Sequence, residues 1–359
     1  GARATGLVRK AVSSYRRRLG KGANNKRAVV FDAVPVGENG INNRDQAIAY
    51  MAQGSGGQLA DVPDIFVKDV IEGNSDRFRL VNSRRDAGIN GMDRYLDRDT
   101  GMYVGVKFGD GNGAGVNEAY NEMSSNALAE RLGFPVGQMR LDGPADAGGR
   151  NPTPTLIVDL AQNPYGLSGS AIESNMRGPT DERSPGSMSS RVRMTVLDMV
   201  TGNPDRHRGN YFKMRREGGV GFDLYPIDMG MGGAAGLYSD RPFGGRATFV
   251  GTPAERMAKW RDSSDGGGRN NIRQVILDES RLSPERYQEI KNEVQKTLDH
   301  LRANNTRLGG FREEVDALAN IQGHAPVDRN NFDPSMDLVN ENLEWFLEAS
   351  TDDVMNLLL

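Results

Sequence analysis

The stretch GNPDRHRGNYF, residues 202–212, sets an acid, a histidine, two arginines and an asparagine into the six positions from Asp205 to Asn210. Gly202 and Pro204 precede that set and a strand-like Tyr211-Phe212 follows it. The chain has only three histidines, and His207 stands inside this stretch. A solvated loop is the simplest reading of such a composition. The sharper reading is a loop that handles phosphate, because Asp205 and Asn210 lie five apart: the carboxylate can accept or orient an acceptor proton while the amide oxygen holds a metal.

Phosphoryl transfer asks a protein for little covalent chemistry. It asks for a cradle for phosphates, a lysine held by an acid, an aspartate near the acceptor hydroxyl, and further ligands for Mg²⁺. Candidates for these parts occur in that chain order. Lys107 closes a run of three strand-like segments. Glu122 lies in the following helical stretch, and Glu118, one turn earlier, competes to pair with Lys107. Asp228, in PIDMGMGG, closes a hairpin and can share a metal with Asn210. His207 either faces the γ-phosphate or braces the loop by hydrogen bonds. Arg206 and Arg208 either pair with Asp228 or bind phosphate. Taken singly, each of these has a bland reading as an edge lysine, a solvated helix acid or a turn residue; their order gives them weight together.

The elements that must position these groups are legible in part. RFRLVN (77–82), MDRYLD (92–97) and MYVGVKF (102–108) read as strands, joined by the loop 83–91 and the turn at 98–101. Gly109, Gly111, Gly113 and Gly115 read as a flexible joint. A helix is expected over 117–132, ended by Gly133 and Pro135, and TLIVDLA (155–161) has the length of a buried strand. Residues 163–190 read as a loop, 191–200 as a helix ended by Gly202, and 211–228 as a hairpin. The segment 229–270 reads mostly as Gly-rich loop. Ser283-Pro284 starts a helix carrying the stripe Tyr287, Ile290, Val294, Leu298 and Leu301, and a last helix pair is expected near 335–358. Upstream, 28–36 reads as a strand and 44–52 as a short helix.

Composition narrows the class. The chain has 359 residues, 37% hydrophobic and 26% charged, with 45 glycines, which fits a globular protein of two lobes or domains with many turns. Residues 1–27 carry nine Lys or Arg and no acid, so against a net charge of −3 the remainder holds −12. Such an arm suits nucleic acid, an anionic membrane or an acidic partner surface, or it is a solvated or self-docked tail. No transmembrane run or secretory leader is expected. The absence of cysteine excludes disulfides and thiol catalysis, and a cytoplasmic, reducing location is expected. There is no P-loop, no H-E-x-x-H, and no metal spacing among His207, His300 and His324. GLSGS (166–170) departs from the hydrolase elbow at its last residue.

NPDRHRGN followed by PIDMGMG resembles the catalytic and metal-binding loops of the HipA and phosphatidylinositol 3-/4-kinase group of atypical kinases. That pattern runs Asp-Arg-His or similar, with Asn at plus five and a later Ile-Asp-x-Gly. NEMSSNALAERLGFPV (121–136) also resembles the HipA-like helix that opens on Asn-Glu and ends Leu-Gly-x-Pro-Val, which favours Glu122 over Glu118. The likeness covers about residues 77–232. It implies an α+β, two-lobed protein-kinase-like fold: a small antiparallel sheet plus helix at 77–160 and a mainly helical lobe at 161–359, after the arm 1–27 and an extension 28–76. It implies ATP with its adenine against the strand that holds Ile157, Asp159 and Leu160, Lys107 on the phosphates with Glu122 as its partner, Asp205 serving the acceptor, and Mg²⁺ on Asn210 and Asp228. The expected activity is transfer of the γ-phosphate to a hydroxyl, protein Ser/Thr ahead of lipid or small molecule. The loop 83–91 departs from G-x-G-x-x-G, so no phosphate role is assigned to it. Two other outcomes are compatible with the same motifs: an inactive kinase-fold scaffold that uses its arm to contact a partner, and transfer of AMP instead of phosphate.

Overall fold

The computed structural model describes Val70 and residues 75–84, 92–98, 103–108, 114–134, 139–145, 153–159, 185–207, 210–215, 222–230, 237–238, 250–304 and 329–359. The arm 1–27, nearly all of the extension 28–76, the loops 85–91 and 109–113, Leu160, Arg208, residues 161–184 and 239–249, and His324 lie outside the described residues.

Strands β1 (Phe78–Arg84), β2 (Met92–Asp97) and β3 (Tyr103–Phe108) form the expected antiparallel meander. β4 (Met139–Ala145) and β5 (Thr153–Asp159) complete a five-stranded sheet of order β1-β2-β3-β5-β4. Pattern reading misses β4, since its MRLDGPA sequence carries Gly143-Pro144 and looks like a turn. The sheet accommodates the proline by a register shift between Asp142 and Pro144, on an edge strand where a missing N–H is tolerated. Helix α1 (Ala114–Arg131) lies against β4 and β5. It takes in Gly115, so the glycine run is not wholly a joint. Past its end Gly133 turns left-handed, and Arg193 donates to the carbonyls of Leu132 and Gly133 at 3.3 and 3.2 Å.

Helix α2 (Pro185–Thr201) begins six residues before the expected start at Arg191, with proline in the first turn where its missing N–H costs nothing. Met188, Val192, Met194, Val196, Leu197, Met199 and Val200 are all buried, so α2 is enclosed on every side. Around it pack α1, α3 (Pro253–Asp262), α4 (Asn271–Ser280), α5 (Pro284–Asn304), α6 (Arg329–Glu348) and the hairpin of β6 (Tyr211–Arg215) with β7 (Phe222–Pro226), on its β7 side. Helix α7 (Thr351–Leu358) rests on α5 and α3. α3 lies in the stretch expected to be loop. There Thr252 and Glu255 close a reciprocal capping box and Pro253 opens the helix, while Met257 and Trp260 anchor it in the core. On α5 the expected stripe is buried at Ile290, Val294, Leu298 and Leu301, whereas Tyr287, one turn from the start, is exposed. Among the described residues no helix is long and apolar enough to cross a membrane.

α2 ends in a Schellman arrangement. Gly202, at φ +65°, donates to the Met199 carbonyl at 3.4 Å, and Asn203 N–H reaches back to the Asp198 carbonyl at 2.9 Å. A Cβ at Gly202 would also meet the Tyr238 ring at 2.7 Å. Gly202→Ala is therefore expected to destabilise the protein by at least about 1–2 kcal/mol, read from the denaturant midpoint. Tyr238 is fully buried with its hydroxyl on the Met199 carbonyl at 2.6 Å. Burial pushes its phenol well above the ordinary 10.0, with Arg256 opposing weakly. Because the folded value lies above the unfolded one, this stabilisation is complete below about pH 10 and is lost as pH rises beyond it. Melting temperatures recorded at increasing alkalinity are expected to fall from that point, and less steeply in Tyr238→Phe.

Candidate functional site

The chain leaves α2 at Gly202 and is rebuilt into a loop by Asn203. Its Oδ1 accepts the Asp205 N–H at 3.0 Å, an Asx turn across Pro204, while its Nδ2 donates to Asp198 Oδ1 at 3.0 Å. Its carbonyl accepts the indole N–H of Trp260 at 3.0 Å. Every polar atom of this side chain is thus committed to holding the loop. His207 N–H returns to the Asp205 carbonyl and Asn210 N–H to the His207 carbonyl, each at 3.0 Å, local bonds that tie Asp205, His207 and Asn210 into one turn.

This turn brings three of the expected residues together. Asn210 is buried and its Nδ2 donates to the Asp205 carbonyl at 2.8 Å and to Asp205 Oδ2 at 3.1 Å. His207 Nε2 lies 3.7 Å from Asp205 Oδ1. The Asp205 side chain is 30% exposed and that of His207 50%. Asp205 therefore presents a carboxylate to solvent, oriented from below by an amide and flanked by an imidazole. With the Asn210 nitrogen donating to Asp205, its amide oxygen is the atom left to meet a ligand.

Asp228 is brought to the same place through the hairpin. Ile227 N–H donates to the Asn210 carbonyl at 3.2 Å, directly beyond the Tyr211–Pro226 pair of the β6–β7 ladder. Asp228 follows, exposed and at φ +52°, the one described non-glycine residue in the left-handed region. Such a conformation is uncommon outside glycine and clusters where surrounding structure enforces it. Among the described residues no group of three His, Cys, Asp or Glu can hold a metal. The donors that fit a cation here are the Asn210 amide oxygen and the Asp228 carboxylate. Both are hard oxygen ligands, and two such protein ligands completed by phosphates and water suit Mg²⁺.

Arg206 corrects an expectation. It neither pairs with Asp228 nor reaches for phosphate. It is 1% exposed, and its Nε and Nη2 fork onto the carboxylate of Asp198 in α2, at 2.9–3.2 Å. Its Nη1 donates to the carbonyls of Asn210 and of Ile227, the latter at 3.1 Å. The charge is spent inward because the residue sits beneath the turn, where the carboxylate of Asp198 balances it. Asp198 is itself fully buried and takes a further bond from Asn270 Nδ2 at 2.9 Å.

The remaining candidates are placed on the sheet and α1. Lys107 stands on β3 opposite Leu156 of β5 and Met92 of β2; Ile157 pairs with Val106, and Asp159 with Val104. The side chains of Lys107, Ile157 and Asp159 lie outside the described residues, as does all of Leu160. Glu122 is buried in α1, at 5% exposure. Its neighbour Asn121 donates to the Gly230 carbonyl at 3.4 Å, two residues past Asp228, so α1 touches the segment that carries the second metal candidate. Asp198, Asn203, Asn270, Trp260 and Asn121 were not singled out by pattern. The available signal was an aspartate inside the apolar run of RVRMTVLDMV, a polar group that burial obliges to find partners.

No protein-family model matches the chain, and no curated protein does. Among solved structures the chain is similar to a crystal structure of a Helicobacter pylori proinflammatory kinase, CtkA, with 12% identity and a TM-score of 0.39, over 74% of this chain and 93% of that one. A superposition that loose carries no weight for function, which rests instead on the geometry of the turn.

Trp260→Phe keeps the apolar body and removes one donor. It strands the buried Asn203 carbonyl, so a loss of about 1–3 kcal/mol is expected in denaturant unfolding.

Proposed function

We propose that the chain is an ATP- and Mg²⁺-dependent phosphotransferase that moves the γ-phosphoryl group to a hydroxyl. The observation that carries this reading is the pairing of Asp205 with Asn210 in a turn whose last carbonyl is hydrogen-bonded to the residue before Asp228. That pairing supports a reading in which Asp205 serves the acceptor while Asn210 and Asp228 share a cation, the parts that phosphoryl transfer requires.

In this reading the acceptor hydroxyl approaches Asp205, whose carboxylate orients it and takes its proton as the oxygen bonds to the γ-phosphorus. The bond from that phosphorus to the bridging oxygen of ADP breaks, and ADP leaves with the electron pair. Mg²⁺, when bound, neutralises charge on the phosphates, and Asn210 and Asp228 are the residues that would hold it. His207, half-exposed beside Asp205, is assigned to donate to a phosphoryl oxygen. Lys107 is assigned to the phosphates with Glu122 as its partner, and Ile157, Asp159 and Leu160 to the adenine side, from their order along the chain. A protein serine or threonine is the preferred acceptor.

Labelled ATP offered with mixed protein acceptors is expected to give transfer in the wild type. Asp205→Asn is expected to reduce transfer by about 10²–10⁴-fold without loss of ATP binding. In calorimetry, Asp228→Ala is expected to lose the Mg²⁺-dependent part of ATP binding. A wild type that binds no ATP at any Mg²⁺ concentration overturns the proposal and leaves a scaffold.

A further inference from the structure

The network beneath the turn supports an inference that rests on the phosphotransferase reading and deepens it. Asn210 and Asp228 come from segments 18 positions apart in the chain. A cation shared between them needs their spacing fixed to a fraction of an ångström, yet Asp228 is exposed and only Asn210 is buried. A single side chain spans the two segments from below. The Nη1 group of Arg206 donates to the carbonyl of Asn210, one candidate ligand, and to the carbonyl of Ile227, which adjoins the other. The opposite edge of the same guanidinium is locked on Asp198.

That lock is anchored in a buried stretch of α2. Asp198 lies on α2 at 0% exposure, and its two oxygens also take Asn203 Nδ2 and Asn270 Nδ2. Asn270 performs two tasks with one amide. Its oxygen accepts the N–H groups of Ile272 and Arg273 at the start of α4, and its nitrogen donates to Asp198. The position of the guanidinium is therefore defined by two helices and not by the turn.

We propose that Arg206 is the positioning residue of the metal site: held by Asp198 and Asn270, it sets the separation of Asn210 and Asp228 and thereby the affinity for Mg²⁺. Arg206 touches neither nucleotide nor metal, being 1% exposed with its donors spent on protein oxygens. Only a planar fork with donors on both edges can grip a carboxylate and two carbonyls together; an ammonium is a point charge.

The test uses the full chain and reads ATP binding by calorimetry across a Mg²⁺ titration, with a thermal melt as control. Arg206→Lys keeps the charge and loses the fork. The double variant Asp198→Asn with Arg206→Gln removes both charges, so that no lone ion stays buried. Asn270→Ser keeps an oxygen that caps α4 and loses the donor to Asp198. The two Arg206 variants are expected to need about 10–100-fold more Mg²⁺ for half-maximal ATP binding, the range seen when outer partners of metal ligands are removed. At saturating Mg²⁺ their ATP affinity is expected to return to the wild-type value. Asn270→Ser is expected to shift the requirement in the same direction in a protein that still folds, with a lowered melt from the lost hydrogen bond, and it decides the question if the Arg206 variants do not fold.

An unshifted Mg²⁺ requirement in folded variants overturns the positioning role and leaves the phosphotransferase reading standing. So does a loss of ATP affinity that saturating Mg²⁺ does not restore, which marks a general brace. A wild type without Mg²⁺-dependent binding overturns both.

Discussion

The ion pair between Asp198 and Arg206 is the constraint on which the rest of the described structure turns. Both side chains are fully withdrawn from water, and taking two charges inside costs several kcal/mol per ion before their attraction offsets it. That cost is tolerable only where the remaining lone pairs and protons are also satisfied. Here the carboxylate takes Asn203 and Asn270 as well, and the guanidinium reaches two backbone carbonyls. A fully satisfied buried network specifies one geometry, and this one fixes the turn 203–210 against the hairpin that ends at Asp228.

The surrounding helices supply the enclosure that this network requires. α2 is buried on all sides, so an aspartate on it has no route to solvent and must be met by partners from elsewhere. α3 and α4 bring those partners. Trp260 fills core volume and aims its one donor at Asn203, and Asn270 caps its own helix while reaching Asp198. Tyr238 works in the same way at the end of α2, an apolar ring with a single hydroxyl spent on a helix-terminal carbonyl. Aromatic bodies with one polar handle are well suited to this, because they exclude water and close a backbone group together. Farther out, Arg261 and Arg273 donate to the last carbonyls of the chain, 356–359, where a helix has orphan acceptors.

Much of this was legible residue by residue. The meander before Lys107, the helix carrying Glu122, the hairpin after Asn210 and the stripe on α5 all follow from periodicity and from glycine and proline punctuation. The misreadings share a cause. Ser184-Pro185, Thr252-Pro253 and Ser283-Pro284 are the same kind of helix-start signal, yet only the third stands clear of Gly-rich flanks. The first two sit among glycines and read as loop, although they open α2 and α3. β4 was lost to its Gly143-Pro144, a turn signal that an edge strand absorbs as a bulge. Local composition reports backbone freedom, and core contacts such as those of Met188 and Trp260 override it.

The sequence by itself determined which groups are available and in what order: Lys107, Glu122, Asp205, His207, Asn210 and Asp228, with glycines where the chain must turn. Spacing of five residues is enough to place Asp205 and Asn210 on one turn, because the bonds joining them are local. Only the tertiary structure decided what Arg206 does. Its identity and its neighbours allow phosphate, Asp228 or solvent as a partner, and all of these lie on the outside. Burial selects Asp198 instead, eight residues back on a helix, because a guanidinium in a water-free interior must be neutralised by a carboxylate buried beside it.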